Sequence, residues 1–255
     1  MKSITILEKT YGTYKKVALN AFRHNLSTEL EGLEVQIKKI SVHPHDWITV
    51  VLEGEDEEAG YNLLQHYYGS LCSFGQLEIG QTRKGKLIQT GKYGYGLFID
   101  IGIDSEKNID GFLPLHTIRQ QLARREKIPL RSLCHSYGLL NNLSLEVSIE
   151  SIDRLNRKIQ VSLSNAQINI FKNWVTSELE RLLISGITRH HLKKVVIKSG
   201  HLRDIVAIER LGFLEEMIIC KRGTNAPGML SEIGSLLPDS PIQLFIPTNV
   251  KKYLS

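Results

Sequence analysis

The stretch Gly91–Gly102, GKYGYGLFIDIG, decides how this chain is read. Its glycines space out aromatic residues, among them Tyr95 and Phe98, and it closes on alternating Leu97, Ile99 and Ile101. Alternation of this kind predicts a β-strand with its apolar residues turned inward and Phe98 turned outward. Strict alternation also points Tyr95 inward. A bulge at the flanking Gly94 and Gly96 would return it to the surface. Lys92 stands at the opening of the segment.

Four more strands are legible around it. Gln81–Thr90 alternates Lys84, Lys86 and Ile88 against Arg83, Gly85 and Leu87, and its mid-strand glycine suits a tightly coiled corner. Ile109–Leu115 is short and is closed by Pro114. Ser144–Ile152 and Arg157–Leu163 flank a hairpin turn at Asp153–Asn156. Between the third and fourth strands lies a long excursion, Thr117–Leu143. It carries Arg119, Arg124, Arg125, Lys127 and Arg131 against the single acid Glu126. Five antiparallel strands interrupted by a helical excursion describe an OB-type barrel, in which loops such as this one rim the binding face.

These residues resemble the S1-type RNA-binding domain. The second-strand pattern of that family is matched by Tyr95-Gly96-Leu97-Phe98-Ile99 and the closing Gly102, and its third-strand opening by Gly111-Phe112-Leu113. Its last hairpin is matched by Ile152-Asp153, Arg157-Lys158-Ile159 and Leu163-Ser164. The resemblance covers residues 76–165. It implies that Tyr95 and Phe98 form a stacking platform and that Arg157 touches the nucleic-acid backbone. The family's third-strand histidine is replaced here by Pro114. The expected RNA-binding set is therefore Phe98, Tyr95, Arg157, Lys84, Lys86, Lys92, Arg124 and Arg125. Stacking of a base on an aromatic face contributes about 1–3 kcal/mol, and lysines and arginines add a salt-sensitive backbone term.

Residues 1–75 predict a βαββα order. Its strands are Ser3–Leu7, Leu33–Val42 with a bulge at Lys38-Lys39, and Trp47–Leu52. Helices are expected over Tyr14–Leu30 and after the acidic run Glu55–Glu58, and Phe74–Ile79 is a candidate last strand. This is a ferredoxin-like pattern, which hosts many functions and names none. The acids favour the positive end of a helix dipole. The turn His43-Pro44-His45-Asp46 reads as a solvated loop, and no metal site is expected.

Residues 166–255 predict a basic α/β module. One helix spans Ala166–Ser185, and a second runs from the N-cap Thr188 through Lys198. Strands follow at Asp204–Glu209, Leu214–Cys220 (a central strand) and Ile242–Ile246, with a helix at Met229–Leu237. The turn Lys221-Arg222-Gly223-Thr224-Asn225 before that helix is a candidate phosphate site, since free N–H groups at a helix start attract anions. Gly223–Gly228, GTNAPG, with Glu209–Glu216, ERLGFLEE, resembles an uncharacterised family of archaeal proteins. The domain order is also similar to that of the stalk subunit of archaeal RNA polymerase.

The fold expected is thus α+β and multidomain: a ferredoxin-like domain at 1–75, an S1-like barrel at 76–165 and an α/β domain at 166–255. Net charge is +5 over 255 residues. It falls unevenly, at −3, +4 and +4 across the three segments, so the basic surface lies in the last two. That distribution suits a polyanion. Three widely spaced cysteines fit reduced thiols in a cytoplasmic protein. The acids are dispersed and no Ser/His/Asp grouping is visible, so no enzyme activity and no cofactor are expected. The leading expectation is a non-catalytic RNA-binding protein in translation, transcription or RNA processing. The alternative is an interaction scaffold, or a subunit of an RNA polymerase or ribosome-associated assembly.

Overall fold

In a computed structural model, described for residues 1–13 and 15–254, the chain forms two open sheets and, between them in sequence, a closed five-stranded barrel. The N-terminal part contains β1 (Lys2–Lys9), α1 (Lys15–Glu29), β2 (Val35–Val42), β3 (Trp47–Gly54) and α2 (Glu57–Tyr68). Its three strands lie antiparallel in the order β1-β3-β2. The register of β2 slips between Ile37 and Lys39, at the expected bulge. Helix α1 buries Ala18, Phe22 and Leu26, residues at i, i+4 and i+8, against Ile4, Ile6 and Val50 of the sheet. The expected helix start at Tyr14 lies outside the described residues. Glu57 and Glu58 occupy the first turn of α2, where the helix dipole favours acids. Phe74–Ile79 adds no fourth strand: Phe74–Gln76 is a 3₁₀ turn closed by a reciprocal Ser73–Gln76 capping box.

The barrel is built from β4 (Thr82–Ile88), β5 (Gly96–Asp100), β6 (Gly111–Pro114), β7 (Ser144–Asp153) and β8 (Lys158–Leu163). It closes in the order β4-β5-β6-β8-β7. The closing pair β6–β8 is parallel, which corrects the all-antiparallel expectation. The excursion between β6 and β7 folds into two short helices, α3 (Leu115–Leu122) and α4 (Leu130–Ser136). Leu97, Ile99, Ile101, Val147, Ile149, Ile159 and Val161 fill the interior, as alternation predicts.

The expected long helix over 166–185 is instead a helix and a strand. Helix α5 (Asn165–Ser177), capped by Ser164, stops at Glu178, which takes a left-handed φ of 58°. Then β9 (Arg181–Ser185), fully buried, enters the C-terminal sheet. The spacing misled because a strand buried on both faces is a continuous apolar run, which periodicity does not separate from a buried helix. After α6 (Arg189–Lys198) come β10 (Ile205–Arg210), β11 (Glu215–Cys220), α7 (Ala226–Leu236), β12 (Ile242–Phe245) and α8 (Pro247–Leu254). The sheet order is β10-β11-β9-β12, with β11 internal as expected.

The three parts share their cores. Phe213 and Leu214, before β11, pack in the N-terminal core, with the Phe213 and Phe22 rings 4.6 Å apart. Trp174 of α5 stacks edge-on to Phe245 of β12 at 5.4 Å, inside a cluster continuous with the barrel interior. The turn at His43 and His45 is not a free loop: His45 Nε2 lies 3.2 Å from the Ser105 carbonyl of the barrel. All three cysteines are free thiols, and Cys134 and Cys220 are buried.

Candidate nucleic-acid interface

Strand β5 begins only at Gly96, so Tyr95 is not bound by strand alternation. It is 57% exposed and turns to the outer face. Phe98 points the same way and pairs across the ladder with Phe112 of β6. The three rings form a continuous apolar surface: Phe98–Phe112 at 5.3 Å, Tyr95–Phe112 at 5.7 Å and Tyr95–Phe98 at 6.3 Å. Tyr93 joins edge-on, 5.3 Å from Phe98. Gly96 makes this possible. A Cβ there would collide with the edge of the Phe112 ring and stand 2.6 Å from the Leu113 carbonyl oxygen. At the other end of the quoted stretch, Gly102 takes a φ of +72° where Leu7 of β1 packs directly against it.

The rings form one wall of a groove of about 610 Å³. The opposite side is the β7–β8 hairpin, which contributes Asp153, Arg157 and Lys158. Asp153 accepts from the backbone N–H groups of Asn156 (3.0 Å) and Leu155 (3.1 Å) and from the Asn156 amide at 2.7 Å. These bonds, led by the Asn156 backbone N–H, hold its carboxyl below the usual range and fix the turn. Arg157 leaves the turn with a left-handed φ of 51°, and its guanidinium sits 5.5 Å from the centre of the Phe74 ring. Lys92 Nζ lies 5.2 Å from the centre of the Tyr93 ring. Exposed cations thus border a cluster of tilted and edge-on aromatic rings, an arrangement suited to a single strand with bases on the rings and phosphates on the rim.

Tyr95, Phe98, Arg157 and Lys92 of the expected set meet here. Lys86 does not. It is 1% exposed, inside the junction of the three parts, because β4 is covered on its outer face by β1 and by the C-terminal sheet. Lys84 is exposed but donates to the Tyr67 carbonyl at 2.8 Å, away from the groove. Arg124 and Arg125 form the turn after α3, and Arg124 lines a separate hollow beside Lys172. The excursion therefore does not rim the aromatic face. In the Lys221–Asn225 turn, three side chains have partners within the protein. Thr224 donates to the Asp204 carbonyl at 3.1 Å, Asn225 Oδ1 accepts from Gly228 N–H at 3.1 Å, and Arg222 reaches Glu178 at 3.4 Å. That is a helix cap, and the exposed Gly223 serves its left-handed turn. Phe112, Tyr93, Asp110 and Lys158 were given no role from sequence. The signal for Phe112 was present in the Gly111-Phe112-Leu113 motif, and in β6 this ring pairs with Phe98.

Among the described residues, no three of His, Cys, Asp and Glu gather as metal ligands, and no helix is long and apolar enough to cross a membrane.

A closed five-stranded barrel bearing an aromatic groove, set in sequence between two α/β sheets, defines a three-part α+β protein. The chain belongs to the DUF2110 family, whose N-terminal, central and C-terminal domains match residues 3–73, 77–175 and 179–244. This answers the kinship expected with an uncharacterised family. No curated protein matches the chain significantly. Among solved structures, the uncharacterized protein MJ1198 from Methanocaldococcus jannaschii aligns at 19% identity over 35% of this chain and 96% of its own, with a TM-score of 0.24. The intact alpha subunit of aIF2 from Pyrococcus abyssi aligns at 9% identity over 66% and 97%, with a TM-score of 0.25. The a/eIF2alpha-aDim2p-rRNA complex from Pyrococcus horikoshii OT3 gives 16% identity over 51% and 70%, with a TM-score of 0.26. Likeness at this level carries no information about what the chain binds.

Proposed function

We propose that this protein is a non-catalytic RNA-binding protein that holds single-stranded RNA along the groove between the β5–β6 aromatic face and the β7–β8 hairpin. The observation that carries the reading is the contiguity of Tyr95, Phe98 and Phe112, with ring centres 5.3–6.3 Å apart, in one groove with Arg157 and Lys158. Each base has a π-face, so such a surface accepts any sequence, while the cations supply affinity for the backbone. The resemblance of residues 76–165 to S1-type domains of the OB class supports the same reading. Translation, transcription or RNA processing is the setting this reading suits.

A labelled oligouridylate titrated into the protein tests it. Binding in the micromolar range or tighter is expected. With Lys92, Arg157 and Lys158 as the phosphate-facing groups, log K should fall with log salt with a slope of about −2. Absence of binding at low salt, with a stoichiometric protein partner recovered after nuclease treatment, would replace this reading with the interaction scaffold.

A further inference from the structure

Among the described residues, one carboxylate in the groove, that of Asp110, is left unused by stacking and by hydrogen bonds. Asp110 lies immediately before β6 and lines the groove together with Phe98 and Phe112. Its carboxylate, among the described residues, accepts no hydrogen bond. The charged groups around it are Asp100 and Lys9, which pair with each other, and Asp153, Arg157 and Lys158 of the β7–β8 hairpin in the same groove. Asn108 and Gln160, lining the same groove, also make no side-chain hydrogen bond among the described residues. The fold thus surrounds a stacking surface with unspent hydrogen-bonding capacity.

We infer that Asp110 reads base identity and selects guanine at one position of the bound strand. The inference rests on the RNA-binding reading above. An ionised carboxylate is only an acceptor, with two oxygens side by side. Of the four bases, guanine alone presents two adjacent donors on its Watson–Crick edge, N1–H and N2–H. Adenine and cytosine each place a ring-nitrogen lone pair next to their single amino group, and that lone pair would face the second oxygen. Uracil's N3–H lies between two carbonyls. Bases splayed on aromatic platforms are commonly read along this edge. Asp110 lines the same groove as the Phe98 and Phe112 rings, so a base lying on those rings turns an edge toward its carboxylate. Burial, then the nearby Asp100, push the Asp110 carboxyl up to about 6, with Lys9 acting against them. The acceptor form therefore prevails at neutral pH, and the selection weakens as pH falls through that value.

The test uses uridine heptamers carrying a single central guanine, adenine, cytosine or inosine, titrated at pH 7.5 into the full chain and into Asp110→Asn. The expected result is guanine favoured over adenine by about tenfold, within the range of a good bidentate base contact. Inosine, which lacks the N2 amino group, should lose most of that advantage. In D110N the preference should vanish while affinity for all-uridine RNA is kept or raised. Equal binding of all heptamers by the wild type, or a guanine preference that survives in D110N, overturns the inference. If in that case Phe98→Ala still weakens every heptamer, the RNA reading stands without it. If no heptamer binds at all, both fail.

Discussion

Lys86 Nζ lies 2.7 Å from Oε2 of Glu215, and both side chains are 1% exposed. The same ammonium is 2.6 Å from Glu8. One barrel lysine therefore holds a carboxylate from the sheet before it and another from the sheet after it. Tyr11 donates its hydroxyl to Glu215, and the Phe213 backbone N–H donates to Glu8 at 3.1 Å. Burial opposes the charge on Lys86, but Glu215 and Glu8 outweigh it and keep its pKa above the ordinary lysine value. Burial raises Glu215, with Lys86 acting against it.

Removing the cation leaves the Glu215 and Glu8 carboxylates without a counter-charge. Lys86→Met is expected to cost about 3–5 kcal/mol, the usual cost of breaking a buried pair. Urea unfolding checks this. The triple change K86M/E8Q/E215Q should recover part of the loss, because it removes the charges that Lys86 compensates.

Gly96 gives a second expectation. A Cβ at this position meets the Phe112 ring and the Leu113 carbonyl oxygen, and neither can move without disturbing β6. Gly96→Ala should destabilise by about 1–3 kcal/mol through overpacking. It should also weaken RNA binding by displacing Phe112, which thermal unfolding and titration together measure.

Glu216 sets a pH dependence. It is 0% exposed, neither carboxylate oxygen has a hydrogen-bond partner among the described residues, and Arg210 Nε is 3.8 Å away. Burial pushes its carboxyl up to about 7, with Arg210 and Arg189 acting against it. A carboxyl raised in the folded state binds protons more tightly there than in the unfolded chain. Its contribution to stability is therefore present at low pH and is lost as pH rises from about 4.5 toward 7. Glu216→Gln should remove this slope and, at pH 8, stabilise the fold by up to about 3 kcal/mol. Denaturant unfolding at pH 5 and pH 8 reads both effects.

The groove and the rest of the basic surface separate by mutation. Phe98→Ala should weaken single-stranded RNA binding by about 1–3 kcal/mol. Lys84→Ala, at a lysine that donates to the Tyr67 carbonyl outside the groove, should leave it unchanged. Fluorescence anisotropy on one oligonucleotide compares the two.

Much of the barrel was legible because small barrels show their pleat in the sequence: Leu97-Ile99-Ile101 and Ile159-Val161-Leu163 alternate and are buried. The outward turn of Phe98 was visible for the same reason, whereas alternation pointed Tyr95 inward and it faces outward because the strand starts after it. What alternation along one strand does not contain is what covers the strand. Lys84 and Lys86 share a face of β4, yet β1 and β11 bury one of them and leave the other exposed. The β9 strand was hidden by its own burial, the role of Phe112 depends on its register with Phe98, and that of Asp110 on the groove it lines beside the β7–β8 hairpin.

The claim that the aromatic groove is where RNA lies is tested most directly by photocrosslinking a uridine oligonucleotide to the protein and mapping the modified peptides. The account predicts adducts at Tyr93, Tyr95, Phe98 and Phe112, abolished by competing unlabelled RNA. Adducts confined to the lysines of α6 or to the Lys221–Asn225 turn, with the aromatic residues unmodified, would contradict it.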